Sequence, residues 1–344
     1  ILVNEVLPII RDCVTDSSWR IRLANAKTFS SYVDSFSADE VKSNIFPLCM
    51  DILRDMEPDV RQAIIPEILK FLDVVGVESF LESFLPISLP LVDDPISQVR
   101  KLLATTLAGV AAKIGSGEGA DQIADLIETL LGDEDPMIKI RILKHLDNLV
   151  AKAPALCTRL ADGLKDFFSD GNWRVRQEMI LAMPGIITHL GVDFFENNFM
   201  AEFLGMLRDA VDEVRTTAAN TIKLIVPLVG MEWAYEKIFQ AVRPMSHADF
   251  LLRLSMLAAL QGLLNSDLPP GESFQSECLA LVVAATNDRV ANVRMKAAQV
   301  LSDACNIVGP DISRNHIRPV LNDLQGDPDR DVAYFATEGM KLCT

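Results

Sequence analysis

The side chains with most to offer chemically are two tryptophan and arginine pairs. Trp19-Arg20 and Trp173-Arg174 each open a WRxR run, and an aromatic face beside a guanidinium is the combination that dominates protein–protein hot spots. Around them runs a longer pattern of acids and bases. Aspartate stands at positions 16, 55, 94, 133, 170, 209, 288 and 327, with His247 in the remaining place. Six residues after each come Arg22, Arg61, Arg100, Lys139, Arg176, Arg215, Arg253, Arg294 and Ala333. Opposite charges in fixed register suit ion pairing and turn capping. If the pairs are exposed, each contributes roughly 0.2–1 kcal/mol and mainly sets register.

Bond-breaking chemistry has no comparable signal. The four histidines, His145, His189, His247 and His316, are far apart and none belongs to an HExxH pair. Gly115-Ser-Gly117-Glu-Gly-Ala120 fits a loose G-x-G-x-x-A spacing. It follows a helical pattern, lacks the preceding strand that would aim a pyrophosphate at a helix terminus, and carries Glu118. The expectation is no catalytic residue, no metal and no cofactor, so the chain is not read as an enzyme.

The elements that position the acid and base pattern repeat with it. The nine basic or terminal positions are separated by 39, 39, 39, 37, 39, 38, 41 and 39 residues. After each turn, apolar residues recur at offsets of 4, 8 and 11 from the aliphatic residue that precedes the base, which is a helical stripe. Val99, Leu103, Leu107 and Val110 show it, as do Val214, Ala218, Ile222 and Ile225; Asn25 departs from it in the first repeat. Glu57-Pro58 and Asp135-Pro136 place a proline where a helix would begin. A second apolar helix lies between turns, as in 41–53, 79–91, 120–131 and 194–207. A helical pair of this length cannot bury its own apolar face, so units must stack. The fold expected is all-α, an α-solenoid of about nine repeats of about 39 residues. The repeats fall at 1–38, 39–77, 78–116, 117–153, 154–191, 192–229, 230–269, 270–309 and 310–344.

Composition narrows the partners. The 344 residues are 49% hydrophobic, and 32 basic against 48 acidic side chains give a net charge of −16. Such a surface repels phosphate backbones and anionic membranes, so neither nucleic acid nor a membrane is expected as a partner. The stretch 179–192 lacks charged side chains, but it contains Pro184 and is shorter than the roughly 18 residues of a spanning helix. Six scattered cysteines suit free thiols in a reducing compartment, which points to the cytoplasm with the nucleus as a second address. The start at Ile1-Leu2-Val3 reads as the interior of a longer protein. On that reading Val3, Val6, Leu7 and Ile10 should be exposed.

A repeat of this length, with a turn aspartate followed by Val-Arg, resembles the HEAT repeat. The runs Trp173-Arg-Val-Arg176, Met183-Pro184, Leu190-Gly-Val-Asp-Phe-Phe195, Glu232-Trp233-Ala234, Val290-Ala-Asn-Val-Arg294 and Tyr334-Phe335-Ala336 sharpen the resemblance. They are similar to the carboxy-terminal part of the scaffolding A subunits of protein phosphatase 2A. The resemblance implies a non-catalytic platform that holds a serine/threonine phosphatase catalytic subunit along the intra-repeat turns of the last five repeats, beside a regulatory B-type subunit. By place in the motif, the catalytic-subunit contacts would be Trp173, Arg174, Arg176, Phe250, Arg253, Val290, Asn292, Arg294 and Tyr334. A regulatory-subunit edge would comprise Trp19, Arg20 and Asp59. Asn172, Asp212, Phe250 and Ala333 depart from the family's lysine, aromatic, tyrosine and basic residue at those places. The alternative of another class is an acidic HEAT-type nuclear-transport receptor or other protein-binding adaptor.

Overall fold

The computed structural model describes residues 2–117, 119–266 and 272–343, and among them the regular structure is helical throughout. Leu2, Val3, Glu272 and Ser273 are described by their backbone alone, so the expectation for Val3, like that for Glu118, lies outside the described side chains and residues. The chain forms two compact units, Ile1–Ala161 and Asp162–Thr344, and each is an α-solenoid of stacked helix pairs.

One helix of each pair begins at the acid and base turn. In the first unit these are α1 (Trp19–Ala26), α2 (Pro58–Ile64), α3 (Ser97–Ile114) and α4 (Pro136–Leu143). In the second they are α5 (Trp173–Leu190), α6 (Asp212–Val229), α7 (Phe250–Leu264), α8 (Ala291–Ala304) and α9 (Arg330–Met340). The prolines act as the spacing predicts. Pro58 and Pro136 occupy first-turn positions, where the missing N–H would be an orphan anyway, and the Asp135 carboxylate accepts from the Met137 N–H at 2.9 Å. Pro66 interrupts the helix after α2 with a 3-10 turn, Ile65–Glu67, before Leu69–Val75 resumes.

The apolar stripe is the core. Val60, Ile64, Ile68 and Phe71 are fully buried, as are Val99, Leu103, Leu107 and Val110, and so are Val214, Ala218, Ile222 and Ile225. Leu252 is only half-buried, because α7 carries its stripe deeper from Met256 onward. In the second unit α5, α6, α7, α8 and α9 pack side by side in that order. Leu7 and Ile10 correct the expectation of an open first helix: they are buried inside the first unit and Val6 is half-buried, while Ile9 is the large apolar residue of that helix that faces solvent. Cys305 and Cys343 form a disulfide, whereas all six cysteines were expected as free thiols. Cys49, Cys157 and Cys278 are free and buried, and burial pushes each thiol up.

Two glycines have a packing reason. A Cβ at Gly339 would lie 2.0 Å from the Ser302 hydroxyl, so α9 and α8 approach closely there. A Cβ at Gly262 would stand 2.6 Å from the backbone oxygen of Ala219, so α7 and α6 touch backbone to backbone. Because a carbonyl cannot rotate aside as a side chain can, Gly262→Ala should force the helices apart and cost about 1–3 kcal/mol. Urea unfolding should show a lower midpoint at unchanged slope; a variant as stable as the parent would mean that the two helices separate freely.

Candidate partner-binding ridge

The acid of each turn has two tasks. One carboxylate oxygen accepts the backbone N–H two residues on, closing the turn: Asp55 from Glu57 at 2.8 Å, Asp170 from Asn172 at 2.8 Å, Asp288 from Val290 at 2.9 Å. The carboxylate then receives the arginine of the preceding turn. Arg22 reaches Asp55, Arg61 reaches Asp94 and Arg100 reaches Asp133 in the first unit, with closest contacts of 2.6, 2.8 and 2.7 Å. Arg176 to Asp209, Arg253 to Asp288 and Arg294 to Asp327 repeat this in the second, at 2.7, 2.6 and 2.7 Å. Each arginine also donates to a backbone carbonyl of its own turn, Arg176 to Asp170 O and Arg294 to Asp288 O at 2.7 and 2.8 Å.

These pairs are not the exposed contacts expected from sequence. The arginine side chains are 12–18% exposed and the aspartates 4–10%. Partial burial raises the stakes of losing one partner, because the other is left charged and poorly solvated. Burial pushes the Asp55, Asp133, Asp209 and Asp288 carboxyls up, but the facing arginine and the turn N–H together outweigh it and hold each below its ordinary 3.8. For Asp327 the bond from Arg294 is the largest influence, and the net direction is again downward.

The ladder consumes side chains expected to meet a partner. Arg176, Arg253 and Arg294 spend Nε and both terminal nitrogens on it. Val290 is the half-buried residue preceding α8. What faces solvent in the second unit is a different subset. Arg174 lies over the Trp173 ring at 4.4 Å on the first turn of α5; Phe250, at the start of α7, is 43% exposed. Asn292 is exposed on the first turn of α8, and Tyr334 of α9 is 59% exposed, its ring edge-on to Phe335. Asn172, one of the departures, caps α5 by accepting from the Arg174 N–H at 2.9 Å. Asp249 does the same for α7, with bonds to Leu251 and Leu252 at 2.9 and 3.1 Å.

In the first unit Arg20 lies over Trp19 at 4.6 Å, the same stack as in α5, and Asp59 is exposed on the first turn of α2. Trp233 is half-buried against Phe195 and donates to Glu196 at 3.1 Å. The Gly115–Ala120 loop follows α3 directly and leads into the helix Ala120–Leu131, with no strand before it. Among the described residues no group of His, Cys, Asp or Glu is arranged to hold a metal, and no helix is long and apolar enough to cross a membrane.

The ladder has one gap that sequence only hinted at. His247 replaces the acid that Arg215 would reach, and Arg215 bonds instead to Asp212 in its own turn at 2.6 Å. Asp212 is the place where the resemblance leads one to expect an aromatic residue.

Comparison with known proteins agrees on architecture. The chain is similar to the karyopherin Kap121p bound to RanGTP, at 17% identity and a TM-score of 0.69 over 99% of this chain and 41% of that one. It is similar to Kap121p bound to Ste12p, at 14% identity and a TM-score of 0.71 over 98% and 41%. Importin beta gives 15% identity and a TM-score of 0.67 over 99% and 45%. The chain therefore spans less than half the length of these solved chains. Likeness at this identity defines the class of fold, an all-α solenoid of HEAT type. No family model and no curated protein matches the chain.

The sign of the pH dependence follows from the depressed carboxyls. Their contribution is complete above the ordinary carboxylate range and is lost as protons add below it, so the urea midpoint should hold from pH 7 to roughly pH 5 and fall below about pH 4. Asp288→Asn should cost about 3 kcal/mol at neutral pH and shrink the acid fall. A midpoint unchanged at pH 7 would show that the ladder is not a stabilising element.

Proposed function

We propose that the protein is a non-catalytic platform that holds a protein partner along the ridge of its intra-repeat turns. The observation that carries this reading is the division of labour at those turns. Arginines beneath the ridge are locked into the ladder, while Arg174, Phe250, Asn292 and Tyr334 stand exposed on it and half-buried Trp173 carries the Arg174 guanidinium over its ring. Aromatic and arginine side chains displayed on a rigid scaffold have the composition of interface anchors. Arg174 is ordered over its tryptophan already, which lowers the entropy lost on binding.

On the turn residues, the partner is the catalytic subunit of a serine/threonine protein phosphatase, with a regulatory B-type subunit meeting the edge at Trp19, Arg20 and Asp59. Motif placement supports this reading; Arg176, Arg253 and Arg294 then serve it by fixing the turns, and Val290 by seating α8. The work done is positional, since holding two partners on one scaffold raises their effective concentration. The second reading is a nuclear-transport receptor acting in cytoplasm and nucleus. The solved neighbours support it better than they support the phosphatase scaffold: they are karyopherins and importin beta, one of them bound to RanGTP. Both readings share a protein partner, no cofactor and no membrane or nucleic-acid ligand.

Binding of the purified chain to a phosphatase catalytic subunit and to a Ran-type GTPase in its GTP form separates the two. The phosphatase reading expects the first alone, with Trp173→Ala and Tyr334→Ala each weakening it by about 2 kcal/mol, roughly 30-fold. Binding of the GTPase alone would transfer the assignment to the transport reading. Phosphatase binding unaffected by either substitution would overturn the ridge as the site.

A further inference from the structure

The gap in the ladder leaves Arg215 in a position unlike that of the other arginines. It is 8% exposed, and it donates Nη1 to the Asp209 and Ala210 carbonyls at 2.7 and 3.2 Å and Nη2 to Asp212 at 2.6 Å. The Asp212 side chain is 85% exposed. The ladder acids that receive the other arginines are nearly buried and pinned by a turn N–H; Asp212 is a solvated carboxylate on the outside of the pair. A guanidinium has five N–H donors, so Nε and one terminal hydrogen remain for a further acceptor.

Arg215 lines a cleft of about 140 Å³ between α6, α7 and α8, with Asp212, Thr216 and Asn220 from α6, Leu254, Ser255 and Ala258 from α7, and Lys296 from α8. Lys296 is the second cation of this cleft. Its ammonium donates to the neutral amide oxygen of Gln261 at 2.6 Å, and the same Gln261 amide bonds to Asp303. Burial pushes Lys296 down, and the charge of Asp303 offsets part of that. The acids facing the two cations are Asp212, exposed; Asp209, which feels the charge of Arg215 but whose carboxylate is bonded by Arg176; and Asp303, held one residue away behind Gln261. Thr216, Asn220 and Ser255 add neutral hydrogen-bonding groups, and Leu254 and Ala258 lower the local dielectric, which strengthens a charge-assisted bond.

We propose that this cleft binds an oxyanion carried by a protein partner, a carboxylate or a phosphate monoester, between Arg215 and Lys296, with Asp212 as the group it displaces. The proposal stands whichever class of partner occupies the ridge, because it rests on charges inside the second unit. In a chain of net charge −16, a concave pair of cations with one displaceable acid selects an anionic side chain locally against the repulsive field of the whole.

The test uses the whole chain and small anions as probes. The Nε–Hε resonance of Arg215, assigned by its loss in Arg215→Lys, is followed while inorganic phosphate or acetate is added at constant ionic strength set with chloride. A saturable shift is expected in the millimolar range. Lys296→Gln, which keeps the bonding to Gln261 and removes the charge, should weaken it about tenfold, the loss of one charged hydrogen bond. Asp212→Asn should tighten it several-fold. Saturation by acetate would identify a carboxylate ligand, and saturation by phosphate alone a phosphorylated one. No saturation beyond the chloride control, or equal titrations in the parent and Lys296→Gln, would overturn the site. An asparagine in place of Asp212 can still accept the Arg215 Nη2 bond, and the urea midpoint of each variant, measured alongside, separates a weakened fold from a changed site.

Discussion

A guanidinium taken most of the way out of water has to be given an anion, and in every rung but that of Arg215 the anion belongs to the next turn. That constraint organises each unit. Because every acceptor aspartate first ties down the backbone N–H of its own turn, the arginine finds a carboxylate whose orientation is already set. Two turns are thereby fixed by one side-chain pair, and the helices that start from them inherit a common register. Apolar burial along the stripe supplies most of the cohesion between helices, but burial alone is tolerant of sliding. The bidentate pairs of Arg176, Arg253 and Arg294 are not, since a fork of two N–H donors meets two oxygens in one geometry only.

The same division explains how the ridge can display large side chains without loss of order. Trp173, Phe250 and Tyr334 contribute little to the core, so a solenoid that relied on them for packing would have to hide them. With the turns secured from below, the first residues of α5 and α7 are available to solvent at little cost in stability. The net negative charge keeps such a surface soluble, and the guanidinium of Arg174 over its indole covers part of an otherwise bare aromatic face.

Much of the fold was legible because its determinants are local. The stripe at offsets 4, 8 and 11 lies within one helix, and the residues it selects, such as Ile64, Leu107 and Ile222, are fully buried. The pairing of turn acid with neighbouring base was legible from register as well. What could not be read is anything set by the depth of packing. Arg253 and Asp288 look like surface charges in sequence and are almost out of solvent in the structure. Gly262 looks like an ordinary small residue and is a point of backbone contact. Cys305 and Cys343 are separated by 38 residues, about one repeat, yet only three-dimensional stacking brings them together. In the ridge, sequence singled out Trp173 beside Arg174 and gave Arg176, Arg253 and Arg294 both a ladder role and a partner role; in the structure the ladder takes up their Nε and terminal nitrogens. Substitution of His247 marked the missing rung; the turn of Arg215 toward Asp212 depended on which acid lay within reach.

The six-residue interval between each acid and its own base has a consequence for how such a chain can change length. An insertion inside that interval would pull the arginine out of step with the carbonyl it bonds in the same turn and with the carboxylate beyond. The interval from one arginine to the next aspartate is under no such restriction: the pairs span 33 residues in five cases and 35 between Arg253 and Asp288, and the bond is made all the same. Extra residues are absorbed by the other helix of the pair and the connection between repeats. Mutational drift in length is thus channelled into the segment between one arginine and the next aspartate, and growth by copying whole repeats preserves the six-residue interval on which each rung depends.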